Sequence, residues 1–299
     1  MEYENAIEIK GLTKKYDGFM LDGISFTVPK GSIMGFIGQN GAGKTTTINS
    51  MLNIVRKDSG EVRLLGWDHI ENEADIKEQM AVVFDELPFN ENLNAKQLSY
   101  ILGGIFKNWD KELFQKYLDH FQLPEKKRFV QFSKGMKMKL QLASALSHGA
   151  SLLVMDEPTA GLDPVARSEF LDLFRQFIQE EDHSIFMSSH ITSDLEKVAD
   201  YVTFIDRGRI LLTGMTYEIL ENHGMIKCNK SDLSQIDPKD YIAARVTDFG
   251  AEVMVFDRTN VSRIYNGLVM DNVTLDDIML FYVSAGRCAA GDGKVFSNL

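Results

Sequence analysis

The sequence has no stretch that could cross a membrane and no apolar leader. None of its apolar runs approaches the roughly 18 residues that a membrane-spanning helix requires. The segment MEYENAIEIK at the N-terminus carries acidic side chains and no apolar core, so we expect no signal peptide. These absences predict a cytoplasmic protein with no direct membrane span.

Cysteine is scarce, and acidic residues outnumber basic ones. Cys228 and Cys288 are the two cysteines among 299 residues, and they form no metal-binding pattern. We therefore expect reduced thiols rather than disulfides. The formal net charge is −11 and the pI is near 5.1. This balance argues against nonspecific nucleic-acid binding, which requires a positive surface.

The hydrophobic patterning predicts an α/β protein. Short apolar strands alternate with amphipathic helices, which indicates a mostly parallel sheet covered on both faces. We expect helices at KTTTINSMLNI and PVARSEFLDLFRQFIQEE, and a mostly helical region over about residues 87–150. After Gly214 the pattern changes to that of a small α+β unit that ends in a helix at TLDDIMLFYVSAG.

A phosphate-binding loop is the most specific motif in the chain. GQNGAGKTT, residues 38–46, fits G-x-x-x-x-G-K-[ST], follows an apolar strand and opens a helix. Glycines let the backbone N–H groups surround phosphate oxygens, and the helix N-terminus adds a positive dipole end. We expect Lys44 to reach the β- and γ-phosphates, Thr45 to ligate Mg²⁺ and Thr46 to donate to the α-phosphate. The predicted nucleotide-binding residues of this loop are Asn40, Gly41, Ala42, Gly43, Lys44, Thr45 and Thr46.

Two carboxylates follow the apolar strand of SLLVMDEPTAGLDP. Asp156 is predicted to hold Mg²⁺, and Glu157 to orient or deprotonate an attacking water. His190 ends the next apolar strand, in SSHI. From spacing alone, His190 is equally a structural residue or a partner of a γ-phosphate oxygen.

Together these motifs resemble the ATP-binding cassette ATPases over roughly residues 6–215. The resemblance rests on the Walker A loop, the Walker B strand LLVMDE, the D-loop AGLDP with Asp163, and the switch residue His190, in this order. It implies a P-loop α/β core with an antiparallel β subdomain, a helical subdomain and a small C-terminal α+β domain. It also places Tyr16 where an aromatic residue of the family stacks on adenine.

The stretch FSKGM stands where the family has its signature, typically LSGGQ. In that family two cassettes pack head to tail, and the signature of one closes over ATP held by the other. The resemblance therefore predicts a trans site formed by Ser133, Lys134, Gly135 and Met136. Lys134 and Met136 depart from the usual glycine and glutamine. Lys134 either adds a charge contact to phosphate or faces solvent.

A second departure lies in MAVVFDELPFNENLN, which aligns with the family's Q-loop. Asp85 falls where glutamine is usual, and Glu86 is an alternative if the register shifts by one residue. A carboxylate here could ligate Mg²⁺ directly or through water, since hard cations favour oxygen. We therefore predict Asp85 to be a catalytic and metal-binding residue.

The resemblance is strongest to ATPases of bacterial ABC-2-type exporters, including those for antimicrobial or cytolytic peptides. It implies an ATPase that uses ATP and Mg²⁺, forms a homodimer or paired cassette, and serves a separate transmembrane permease from the inner face of the membrane. We expect residues 1–215 to form the ATPase domain and residues 216–299 an accessory domain. The alternatives are an ATP-binding module with little or no hydrolysis and a soluble cassette ATPase of DNA repair or translation.

Overall fold

Ten strands belong to the two sheets of the first part of the chain. The computed structural model describes residues 3–288 and 295–297, and it divides into two compact units, 1–210 and 211–299, with the boundary inside the tenth strand. The strands are β1 Asn5–Tyr16, β2 Phe19–Pro29, β3 Ile33–Ile37, β4 Ser59–Leu64, β5 Trp67–Asp68, β6 Met80–Val83, β7 Leu152–Asp156, β8 Ser184–Ser189, β9 Tyr201–Asp206 and β10 Arg209–Met215.

The two sheets differ in strand direction. One has four antiparallel strands in the order β2-β1-β4-β5. The other has the order β10-β9-β3-β8-β7-β6, and its strands from β9 to β6 are parallel. Strands β3 and β7 are buried along their whole length, as their continuous apolar sequences predict. Because parallel strands end at one edge, the loops after β3, β7 and β8 meet there.

The core of this unit lies between the two sheets. Phe26 of the antiparallel sheet packs against Phe36 and Phe186 of the parallel sheet, with ring centroids 5.2–5.6 Å apart. All three rings are at least 95 % buried. Aromatic residues of this size dominate the apolar area that a core removes from water, so they fix the two sheets against each other.

Seven helices complete the first unit, and two of them are shorter than predicted. They are α1 Lys44–Met51, α2 Glu73–Gln79, α3 Ala95–Ile105, α4 Lys111–His120, α5 Lys134–Leu146, α6 Pro164–Phe177 and α7 Thr192–Val198. Helix α1 ends early because Asn53 adopts a left-handed backbone, with φ 56°. Helix α6 ends before Glu180 and Glu181, whose charges are unfavourable at a helix C-terminus.

The second unit is the small α+β structure that the sequence indicates. Its sheet has the order β14-β11-β13-β12-β15, and its apolar core contains Ile226, Val253 and Val255. Its elements are α8 Thr216–Asn222, β11 Gly224–Cys228, α9 Lys230–Leu233, β12 Ala243–Val246, β13 Ala251–Val255, α10 Arg258–Ile264, β14 Met270–Asp271, α11 Leu275–Cys288 and β15 Val295–Ser297.

Across residues 3–288 and 295–297, we find no helix that combines the length and apolar character needed to span a bilayer.

Candidate functional site

The loop between β3 and α1 has the backbone that its glycines predict. Gly43 has φ 118°, a conformation that side chains rarely adopt, and a Cβ added there would lie 2.8 Å from Leu21 Cδ2. A Cβ added to Gly38 would lie 2.6 Å from the Ile205 carbonyl oxygen. Both positions therefore require glycine, which explains the motif in terms of local packing as well as ligand approach.

This loop borders a cavity of about 600 Å³. The cavity, which we call the polar cavity, collects residues from the antiparallel sheet, the loop and the ends of the parallel strands. Its lining residues are Gly18, Phe19, Gln39, Asn40, Gly41, Gly43, Lys44, Thr45, Thr46, Asp85, Asp156 and Glu157. Most of the residues that the sequence singles out as nucleotide-binding, catalytic or metal-binding thus share one cavity. Ala42 is buried and does not line it.

Lys44 is a buried cation that several oxygen atoms surround. Its side chain is 6 % exposed, and its Nζ donates to the Gly38 carbonyl oxygen at 2.7 Å. The same Nζ lies 3.1 Å from Glu157 Oε1. A buried ammonium group is tolerated only where it is paired in this way.

The oxygen atoms that could hold a metal are already connected. Thr45 Oγ1 donates to Asp156 Oδ2 at 2.8 Å, and Ser188 Oγ donates to Asp156 Oδ1 at 2.5 Å. Ser188 was not among the predicted residues. A hydroxyl and a carboxylate are ligands of the hard type that Mg²⁺ prefers, together with water and substrate phosphate. The described residues contain no group of three or more His, Cys, Asp or Glu side chains that could hold a metal. The chemistry of the Thr45 hydroxyl and the Asp156 carboxylate fits a hard cation such as Mg²⁺.

Glu157 is fixed by its backbone and by both carboxylate oxygens. Its φ of 52° is unusual for a residue with a side chain, and its N–H donates to Ser188 Oγ at 3.0 Å. Its Oε2 lies 2.7 Å from His190 Nδ1, which must donate because a carboxylate only accepts. Strained backbone of this kind is common where a side chain must be aimed at a reacting group.

Known proteins match the chain over this region. The family described as "ABC transporter" matches residues 21–160. The bacitracin transport ATP-binding protein BcrA of Bacillus licheniformis is 36% identical over 208 residues, which are 69% of this chain and 68% of that protein. The chain belongs to the ATP-binding proteins of ABC transporters. Because the family consists of ATP-hydrolysing subunits, this cassette is an ATPase.

A drug-resistance protein supports the same assignment, and a solved structure supports the fold. The daunorubicin/doxorubicin resistance ATP-binding protein DrrA of Streptomyces peucetius is 30% identical over 225 residues, 73% of this chain and 68% of that protein. A solved ATP-binding subunit of an ABC transporter superimposes with a TM-score of 0.66 at 24% identity, over 72% of this chain and 92% of that one. The predicted cassette fold is therefore confirmed.

The signature residues of the cassette lie at the beginning of α5. Ser133 is the N-cap, and its Oγ accepts the Met136 N–H at 3.2 Å. None of the four predicted signature residues, Ser133, Lys134, Gly135 and Met136, lines the polar cavity. Lys134 Nζ donates to Asp85 Oδ1 of the same chain at 2.6 Å. The sequence did not reveal this contact, because the two residues are 49 positions apart.

The aromatic residue at the cavity differs from the one that the resemblance singles out. Tyr16 ends β1, is 43% exposed and does not line the polar cavity. Phe19, its partner across the β1–β2 hairpin, does line it. The Lys14 Nζ lies 5.4 Å from the centre of the Tyr16 ring. Stacking of Tyr16 on adenine stays a prediction, and Phe19 is the aromatic residue among those that line the polar cavity.

The D-loop aspartate has a defined structural role. Asp163 is the N-cap of α6, and its Oδ1 accepts the N–H groups of Val165 and Ala166, both at 3.0 Å. The hydrogen bond from the Ala166 N–H is the main reason why the pKa of Asp163 is lowered. The carboxylate is therefore kept charged at the start of the helix.

A second cavity, of about 530 Å³, is lined mainly by apolar side chains. It lies where the predicted helical region meets the core, and we call it the apolar cavity. Phe84, Pro88 and Phe89 are among the residues that line it. The other lining residues are Leu52, Asn53, Ile54, Glu73, Lys77, Glu78, Met80, Ala81, Val82, Leu102, Ile105, Phe106, Gln141, Ser144, Ala145 and His148.

Proposed function

We propose that this cassette hydrolyses ATP to drive export of a peptide or hydrophobic drug through a separate membrane subunit. The observation that carries the proposal is the ordered contact of Lys44, Glu157 and His190 beside the Thr45–Asp156 pair. The names of BcrA and DrrA, which refer to bacitracin transport and to drug resistance, favour an exporter. Export implies a cytoplasmic protein that attaches to the inner face of the membrane through its permease.

The hydrolytic step assigns one task to each residue. Lys44 leaves the carbonyl of Gly38 and stabilises the polyphosphate. Glu157 takes a proton from water as the water oxygen bonds to the γ-phosphorus. The bond between the γ-phosphorus and the bridging oxygen breaks, which yields ADP and inorganic phosphate. His190 holds the Glu157 carboxylate in place through Nδ1, and its Nε2 can donate to a γ-phosphate oxygen when both ring nitrogens carry a proton.

Thr45 and Asp156 are the residues that would hold Mg²⁺. The ion would neutralise part of the phosphate charge and polarise the reacting phosphoryl group. The hydrogen bond between the two side chains keeps both oxygens at one end of the cavity.

A pair of cassettes would complete the active site. The predicted signature residues Ser133, Lys134, Gly135 and Met136 lie at the beginning of a helix whose positive dipole end suits an anion, yet they do not line the polar cavity of their own chain. Binding of ATP between two chains would bring the signature of one to the cavity of the other. Closure and reopening of that dimer would then move the membrane subunit.

The apolar cavity is the proposed docking site for the membrane subunit. Its lining combines aromatic and aliphatic side chains, which a soluble surface rarely exposes without a partner. Residues 1–215 would provide ATP hydrolysis and docking, and residues 216–299 would act as an accessory domain.

Substitution of Glu157 tests the hydrolytic mechanism. We expect Glu157→Gln to reduce ATP turnover by about 10²–10⁴-fold, because the amide cannot accept the proton of water. ATP binding should persist, so light scattering in ATP and Mg²⁺ should show a stable dimer. The matched control is Glu180→Gln, an exposed acidic residue outside the cavity.

The alternatives predict other results. An ATP-binding module without hydrolysis would show no turnover in the wild-type protein even with its membrane subunit. A soluble cassette of DNA repair or translation would show turnover that responds to nucleic acid or ribosomes and not to the membrane subunit. Unchanged turnover in Glu157→Gln would contradict the role of this residue as the base.

A further inference from the structure

Lys134 and Asp85 form an ion pair at the edge of the polar cavity. The Nζ–Oδ1 distance is 2.6 Å, and both side chains are about half exposed. The stem of Lys134 passes over Gly161, because a Cβ added to that glycine would lie 3.6 Å from Lys134 Cδ. The ammonium group is thus held between the first turn of α5, the loop after β7 and a residue that lines the cavity.

The charges that line the polar cavity are unbalanced without this pair. Three of the lining residues are acidic, namely Asp85, Asp156 and Glu157, whereas Lys44 is the one lysine among them. Asp156 accepts hydrogen bonds from the Thr45 and Ser188 hydroxyl groups. Glu157 contacts Lys44 and His190. Asp85 would add uncompensated negative charge beside a polyphosphate, and like charges at short range repel.

We propose that Lys134 is the counter-charge of Asp85 and that this ion pair sets the affinity of the cavity for polyphosphate. The proposal rests on the proposed function only in that ATP occupies the polar cavity. Asp85 and Lys134 act as positioning and charge-balancing residues, so a neutral pair at both positions can replace them. The pair also ties the beginning of the signature helix to the cavity of its own chain.

The two single substitutions should change ATP affinity in opposite directions. Lys134→Met keeps the apolar stem and exposes the charge of Asp85, so we expect the dissociation constant for ATP to rise about five- to tenfold at low salt. Asp85→Asn frees the Lys134 cation, so affinity should increase about two- to fivefold. The double variant should return to within about twofold of the wild type, because no net charge is left.

The experiment is equilibrium titration of the purified full-length chain with fluorescent ATP, ADP and AMP analogues, with and without Mg²⁺. The loss in Lys134→Met should shrink from ATP to AMP as the ligand charge falls. It should disappear at about 1 M salt, where the screening length is about 3 Å. Lys137→Met is the matched control, since Lys137 lies one turn later on α5 and pairs with Glu91, which does not line the cavity as Asp85 does.

Four outcomes would overturn the proposal. Equal affinities of Lys134→Met and Lys137→Met would show that the charge of Lys134 has no effect. A double variant as weak as Lys134→Met would mean that Lys134 contacts phosphate itself. Weaker ATP binding by Asp85→Asn only in the presence of Mg²⁺ would mark Asp85 as a metal ligand. Losses of equal size in both single variants would indicate a purely structural contact.

Failure of the proposed function would look different. A wild-type protein that binds ATP but never hydrolyses it, even with its membrane subunit, would contradict the proposed function alone. The affinity pattern of the four proteins would still be measurable there, because it requires binding and not turnover. Normal turnover with a flat affinity pattern would contradict the ion pair alone.

Discussion

The polar and apolar cavities are similar in volume, about 600 and 530 Å³, but opposite in chemistry. Hydroxyl groups, carboxylates and a buried lysine line the first, and its residues come mostly from consecutive motif positions. Aliphatic and aromatic side chains line most of the second, and they come from many separate elements. This difference explains why the residues of the polar cavity can be predicted from a sequence motif, whereas those of the apolar cavity are identified only from the folded structure.

One short segment belongs to both cavities. Phe84 lines the apolar cavity, and its neighbour Asp85 lines the polar cavity. Helix α5 contacts both residues: Lys134 pairs with Asp85, and Gln141 bonds the Phe84 backbone. A displacement of Phe84 or Asp85 at one cavity would therefore move the other residue, and α5 contacts both.

The largest effect that separates the cavities is expected from Phe89→Ser. A buried aromatic anchor contributes strongly to an interface, so we expect binding of the membrane subunit to weaken by about 30-fold or more. Co-purification and titration with the membrane subunit in detergent would measure it. Tyr100→Ser is the control, because Tyr100 is an aromatic residue 86% exposed outside the apolar cavity. A parallel loss of ATP affinity in Phe89→Ser would show that the two cavities are not separable.

A smaller effect is expected where the cavities join. Gln141 is 3% exposed, its Oε1 accepts the Phe84 N–H and its Nε2 donates to the Phe84 carbonyl, both at 3.0 Å. Gln141→Leu leaves both backbone groups without these partners, so it should lower the free energy of unfolding by about 2 kcal/mol.

Urea unfolding measures this change in free energy. The control is Gln115→Leu, since the Gln115 side chain donates to Asp119 on an exposed helix face, and its loss should change stability by less than about 0.5 kcal/mol. Equal midpoints for the two variants would mean that the Phe84 segment is not held by Gln141.

The smallest effect concerns pH. Burial lowers the pKa of His148 from its ordinary 6.5, although the Met80 and Ser144 carbonyl groups and Glu78 oppose the shift. The folded chain then binds fewer protons than the unfolded chain, so stability should fall as the pH drops through 6.5. The other charged residues that line the same cavity are Glu73 and Lys77.

His148→Gln should reduce this pH dependence. The amide can still bond the Met80 carbonyl, which His148 Nε2 contacts at 3.2 Å, but it does not titrate. We expect the wild-type melting temperature to fall by about 2–4 °C more than that of the variant between neutral and mildly acidic pH. The pKa values of His69 and His223 are also lowered by burial, so part of the dependence should remain. Identical slopes would exclude His148 as a source.

Local patterns in the sequence were enough to predict the phosphate loop, the acidic pair and the main helices. The loop depends on glycines that lie within a few positions of Lys44, and the three long helices of the predicted helical region show a regular apolar spacing. The short elements α2 and β6 were not predicted, because seven and four residues carry too little periodicity. The C-terminal ends of α1 and α6 were predicted too late. They depend on the left-handed backbone of Asn53 and on the charges of Glu180 and Glu181.

Side-chain contacts between residues far apart in the sequence could not be predicted. Ser188 bonds Asp156 across neighbouring strands, and Lys134 bonds Asp85 between a helix and a loop. Phe19 reaches the cavity because of the hairpin register with Tyr16. Each of these contacts depends on how separate elements pack, and no local pattern encodes that packing.

The N-cap role of Ser133 has a consequence for how its hydroxyl group would bind a phosphate held by a second chain. Its oxygen already accepts the Met136 N–H, which occupies a lone pair and restricts rotation about the Cβ–Oγ bond. The hydroxyl hydrogen therefore cannot point at the same N–H group. The rotational entropy of that group would thus be lost when the chain folds and not when a phosphate binds in the proposed pair of cassettes. An aspartate would cap the helix equally well, but it would present an acceptor, and therefore repulsion, to the same ligand.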